Sequence, residues 1–196
     1  GYDILATGEM GIGNTTTSSA VASVLMGRSS AEVTGRGAGL SAEGLMRKID
    51  AIKRAISVNR PDVNDPVDVI AKVGGFDLAG MTGLFLGAAA CKIPVLIDGF
   101  ISAVAALAAA RLCPDAAGYA LATHLSDEPA ARMVLETLGK RPMITAGMRL
   151  GEGTGAVAAL GLLDAAVAVY TDMSTFDDIA IDAYQPFDET AGTLLC

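Results

Sequence analysis

The chain has 196 residues, of which 22 are acidic and 14 basic, so its formal charge is 14 − 22 = −8. That balance excludes a phosphate-tracking nucleic-acid surface, which needs a concentrated basic face. With 52% hydrophobic residues and 23 glycines, the length suits one compact domain or most of a larger one. The longest apolar run, residues 78–91, is closed by Asp77 and Lys92 and is too short to span a bilayer, so no membrane association is expected. Residues 1–5 show no basic leader, which points to the cytoplasm. Cys91, Cys113 and Cys196 are widely spaced and the sole histidine is His124. Neither a disulfide framework nor a zinc site is expected from that set.

Residues 2–7 form a short apolar run ending in glycine, the pattern of a buried strand feeding the loop at 8–14. A helix follows over 15–26. After Gly35-Arg36-Gly37-Ala38-Gly39, Ser41 is placed to cap a helix over 42–58, which Pro61 stops. Asp65-Pro66 starts another helix and Gly74-Gly75 ends it. Residues 77–90 are an apolar helix. Residues 93–97 are a second strand, closed by Asp98-Gly99 and followed by a helix over 100–112. The pattern repeats with strand 119–123 and helix 127–138, then with strand 143–146 and helix 155–170. Continuous apolar runs alternating with helices imply an α/β fold: a doubly wound, mostly parallel Rossmann-like sheet with helices on both faces, forming part of a larger domain. The core is assigned to 1–176; the acidic, turn-rich stretch 177–196 is left unassigned.

In such a sheet the loops at the carboxyl ends of the strands build the site, and they carry Glu9, Asp98, Ser126 and Glu152. Gly8-Glu9-Met10-Gly11-Ile12-Gly13-Asn14 lacks both the dinucleotide spacing and the P-loop lysine. It still brings backbone close to a ligand at a helix N-terminus, an anion or ribose site, or else it is an ordinary tight turn. Glu152, set between glycines, is either a general base, whose carboxyl apolar walls would raise toward neutrality, or a side chain facing water. Asp98 reads equally as a catalytic carboxylate or a helix cap. Ser126 reads as an N-cap whose neighbouring N–H groups can also hold a phosphate. Arg149 is read as a brace within its loop in preference to an anion partner, Lys48 as a solvated helix lysine, and His124 as a packing residue.

Four segments carry a resemblance to a known family: Gly8-Glu9-Met10-Gly11-Ile12-Gly13-Asn14-Thr15-Thr16, Ala71-Lys72-Val73-Gly74-Gly75-Phe76-Asp77, Pro94-Val95-Leu96-Ile97-Asp98-Gly99-Phe100 and Gly147-Met148-Arg149-Leu150-Gly151-Glu152-Gly153-Thr154-Gly155-Ala156. In order, they resemble the motifs of the nicotinate-nucleotide:dimethylbenzimidazole phosphoribosyltransferases of cobalamin synthesis. The resemblance implies transfer of phosphoribosyl from nicotinate mononucleotide to 5,6-dimethylbenzimidazole, without metal or cofactor, by an enzyme that is usually a homodimer. It implies that Glu152 is the catalytic base, that Glu9 and Asp98 are acidic residues of the active site, and that Gly11, Gly37, Lys48, Ser126 and Gly151 contact phosphate and ribose. It also implies that the chain corresponds to the second half of a longer protein and is inactive or nearly so by itself. Two alternatives stay open on the residues alone: a non-catalytic ribotide-binding module, or a transferase acting on another azole or phenol.

Overall fold

A computed structural model describes residues 1–37 and 39–182. The far part of the unassigned stretch, 183–196, lies outside the described residues. The elements in chain order are β1 (Leu5–Ala6), α1 (Asn14–Met26), α2 (Ser30–Val33), α3 (Ala42–Asn59), α4 (Pro66–Val73), α5 (Phe76–Ala90), β2 (Val95–Ile97), α6 (Phe100–Leu112), β3 (Ala120–Ala122), β4 (His124–Ser126), α7 (Ala131–Thr137), β5 (Ile144–Met148) and α8 (Thr154–Asp172). A 3-10 turn over Pro114–Tyr119 leads into β3. By compactness the chain divides into two units, Gly1–Leu160 and Gly161–Cys196.

Helix boundaries follow the chemistry of their ends. Ser41 accepts the Gly44 N–H at 3.1 Å and caps α3. Asp65 accepts the Val67 and Asp68 N–H groups, and Pro66 occupies the first turn of α4, where its missing N–H costs nothing. The short α2 escapes a reading by periodicity, yet it carries a full capping box in which Ser29 and Glu32 satisfy each other's backbone N–H.

All strand pairs are parallel, but there are two small sheets where one was expected. The first has the order β1-β2-β3 and the second pairs β4 with β5. The expected strand 119–123 ends at Thr123, whose side chain turns back to donate to the Ile97 carbonyl at 2.6 Å. The chain re-enters strand pairing at His124, opposite Ile144. The expected helix 127–138 also starts late, at Ala131 with Ala130 as its N-cap. Pro129 accounts for this, since a residue before proline is disfavoured in helical conformation. Ser126 therefore lies in β4 and caps no helix.

The core of the first unit is α6. Residues Phe100 to Ala109 are all buried, as expected for a helix that is apolar on every side. It packs against α1, α5 and α7, and each fully buried residue such as Val104 or Leu107 contributes about 1.5–3 kcal/mol relative to an exposed position. Small alanine side chains along it let the neighbouring helices approach closely. Ser19 of α1, also buried, donates to the Val33 carbonyl at 3.2 Å and so ties α2 down.

α8 corrects the expectation about membrane-like segments. Its 19 residues reach a mean hydropathy of 1.5 over a span-length window, although Asp164 sits near its middle. Its buried residues are Gly155, Ala156 and Ala159, so among the described residues most of its apolar surface is uncovered. In the second unit, beyond the end of α8, Thr175 and Asp178 bond each other in a tight turn.

Candidate active site at the carboxyl edge of the strands

The site forms where the loops after β1, β2, β4 and β5 meet. A cleft of about 140 Å3 there is lined by Glu9, Gly11, Thr15, Gly37, Asp98, His124, Ser126, Glu128, Arg149 and Gly151, among others. Six of the eight residues implied by the resemblance thus line it: Glu9, Asp98, Gly11, Gly37, Ser126 and Gly151. The other two, Lys48 and Glu152, do not.

Two glycine loops are joined directly. The Glu152 N–H donates to the Glu9 carbonyl at 2.8 Å. A Cβ on Gly8 would stand 2.6 Å from the Gly153 nitrogen, and one on Gly151 would stand 2.8 Å from the Glu9 carbonyl oxygen. Only glycine permits that approach. Glu152 itself has φ 57, between Gly151 at 78 and Gly153 at 79. A left-handed conformation costs a non-glycine residue about 1–2 kcal/mol, and such strain persists where surrounding structure over-determines it, often at functional sites. The Glu152 side chain is exposed, so among the described residues no wall encloses it. Glu9 is oriented from behind by Asn14, whose amide donates to Glu9 and, at 2.7 Å, to Asp77.

Of the two readings left open for Asp98, the structure shows a helix cap in an unforeseen place. Asp98 caps a helix, but not the one that follows it: its carboxylate accepts the N–H groups of Gly153 at 3.0 Å, Gly155 at 2.8 Å and Ala156 at 3.3 Å, at the start of α8. It is 2% exposed. A carboxylate at a helix N-terminus is also favoured by the helix dipole. Asp98 thereby fixes the loop that presents Glu152. His124 is buried next to it, its Nδ1 3.9 Å from an Asp98 oxygen, and Gly155 leaves room for the ring, because a Cβ there would fall on Nδ1. Burial lowers the imidazole pKa more than Asp98 raises it, so His124 is a neutral floor residue of the cleft.

Lys48 is no solvated lysine. It is 7% exposed, and its Nζ donates to Thr15 Oγ1 at 2.9 Å and to the Gly35 carbonyl at 3.0 Å. It lies beneath the cleft wall and holds the loop and helix that form it. Burial lowers its pKa, opposed by the nearby Glu128. Arg149 lines the cleft, exposed, and makes no hydrogen bond or ion pair among the described residues, so the expected brace is not formed. Glu128, Thr15 and His124 enter the site without a sequence argument. For Glu128 the available signal was its place two residues after Ser126 in the same polar stretch. Among the described residues no cluster of metal-ligating side chains forms.

Glycine loops and helix ends surround the cleft of this parallel α/β scaffold, and the chain belongs to the phosphoribosyltransferase family that matches residues 1–181. Within that family it is 57% identical over 186 residues to the nicotinate-nucleotide–dimethylbenzimidazole phosphoribosyltransferase of Acetivibrio thermocellus, covering 95% of this chain and 53% of that protein. It is 55% identical over 188 residues to the enzyme of the same name from Ruminiclostridium cellulolyticum, with 96% and 53% covered. The crystal structure of CobT from Thermus thermophilus superposes with a TM-score of 0.87 at 40% identity, over 93% of this chain and 54% of that one. The chain spans about half the length of the relatives it matches.

Proposed function

We propose that this chain carries the ribotide-handling and catalytic loops of an enzyme that moves phosphoribosyl from nicotinate mononucleotide to 5,6-dimethylbenzimidazole, giving α-ribazole 5′-phosphate and nicotinate. The observation that carries the reading is the junction of the two glycine loops, which sets Glu9 and the strained Glu152 together at one edge of the strands. The names of the relatives at 55–57% identity supply the substrates.

One benzimidazole nitrogen attacks C1′ of the ribose, with inversion, as the bond to nicotinate breaks. The base gains positive charge as that bond forms, and Glu152 takes the proton from its other nitrogen. Nicotinate departs from a pyridinium and becomes neutral at nitrogen, so the leaving group needs no acid. Gly11, Gly37, Gly151 and Ser126 offer backbone and hydroxyl groups to phosphate and ribose, Lys48 stiffens their wall, and Asp98 holds the Glu152 loop. The intact enzyme works in the cytoplasm as a homodimer. The open side around Glu152 leaves the benzimidazole without an enclosing wall on this chain, which by itself turns over weakly or not at all.

Glu152→Gln in the full-length enzyme is expected to lower kcat by at least about 100-fold, the scale of a general base, with nucleotide binding retained. Product analysis with the two substrates measures it, and near-normal turnover removes Glu152 from the role.

A further inference from the structure

The segment after β4 places a carboxylate where the proposed function puts an anion. A Cβ on Gly35 would fall on the Glu128 carboxylate, so the loop passes directly over that side chain. The Gly37 backbone N–H faces the carboxylate and favours its charged form. On the other side Lys48 holds the Gly35 carbonyl at 3.0 Å and Thr15 Oγ1 at 2.9 Å, and a Cβ on Gly37 would meet that same Thr15 oxygen at 2.8 Å. Gly37, Thr15, Ser126 and Glu128 line one cleft. Its volume of about 140 Å3 is below the roughly 300–1,000 Å3 of a small-molecule site. The donors that suit a phosphate are in part already engaged by a negatively charged group belonging to the protein.

We propose that Glu128 is a resident occupant of the anion cradle: its carboxylate lies against the Gly35–Gly37 turn until a ribotide phosphate displaces it, and it accepts a proton from solvent as it yields. The inference rests on the proposed ribotide site and concerns how that site is filled. A phosphate brought within a few ångströms of a carboxylate makes the charged form of the latter unfavourable. Glu128 is already poised in that direction, because burial raises its pKa and Asp127 adds to the effect, while Lys48 from α3 and the Gly37 N–H oppose it. The other ionisable groups facing the cleft are Glu9, Asp98, His124 and Arg149. When the carboxyl is neutral the cradle accepts an anion readily; as pH rises through the raised value, the charge returns and binding weakens.

The test uses calorimetric titration of ribose 5-phosphate, and of inorganic sulfate as an anion of constant charge, into the full chain and into Glu128→Gln at about pH 5 and about pH 8. Glutamine keeps the size of the side chain but carries no charge. Expected for the unaltered chain are weaker sulfate binding at the higher pH and net proton uptake on binding, read from heats in buffers of different ionisation enthalpy. Expected for the variant are binding about five-fold or more tighter than the unaltered chain at the higher pH and a flattened pH dependence. Equal or weaker anion binding by the variant at both pH values, or sulfate binding at the higher pH without proton uptake, overturns the inference and leaves the ribotide site standing. Binding of neither anion by either protein removes the anion site and the inference together.

Discussion

Asp98 and Glu152 are both carboxylates that end a strand-to-helix passage, and they sit in opposite circumstances. Asp98 is 2% exposed with its oxygens shared among three backbone N–H groups. Glu152 is exposed, its backbone forced left-handed, and its own N–H spent on the Glu9 carbonyl. The difference separates holding from reacting. A buried acid that already accepts three backbone N–H groups has little left for a substrate, whereas an acid whose backbone is pinned and whose side chain is free can serve one.

That contrast can be broken at several points. The largest stability effect is expected from Asp98→Asn, which turns one acceptor into a donor facing the Gly153 N–H or the Gly155 and Ala156 pair. A loss of about 2–4 kcal/mol in chemical denaturation is expected, with kcat of the full-length enzyme falling because the Glu152 loop is released. Retention of both would return Asp98 to the status of an ordinary loop residue. Gly155→Ala comes next: its methyl group would fall on the His124 ring, and overpacking of this kind costs about 1–3 kcal/mol, checked by the same denaturation curve. The smallest effect is the sharpest in sign. Glu152→Gly relieves the left-handed strain, so its stability should rise by about 0–1 kcal/mol while turnover disappears. A destabilised variant would show that the Glu152 side chain holds structure after all.

The helices were largely legible in the sequence because their ends are written in local chemistry: Ser41, Asp65-Pro66 and Gly74-Gly75 each act within a few residues. The site was legible only in part. The strand-end loops pointed to Glu9, Asp98 and Ser126, and the family resemblance to Gly11, Gly37 and Gly151; the fold brings all six into one cleft. What those residues bond to was hidden, since the backbone partners of Asp98 lie 55 to 58 positions further along the chain. Lys48 looked solvated because its helix is amphipathic, yet its burial depends on a loop before α3 and a hydroxyl of α1. Ser126 looked like a cap because the sequence after it is acidic; Pro129 decided otherwise. Arg149 looked like a brace among glycines, and its loop is braced instead by backbone bonds.

Three of the helices close their first turn with a side chain of their own, Ser29, Ser41 or Asp65, whereas α1 begins at Gly13 with no side-chain bond to its N–H groups. A glycine in place of a capping side chain leaves a helix roughly a few tenths of a kcal/mol short. α6 also begins without a side-chain cap, and the first turns of α1 and α6 both reach the cleft, through Thr15 and Ser102, so a ligand bound there is expected to slow the exchange of their amides.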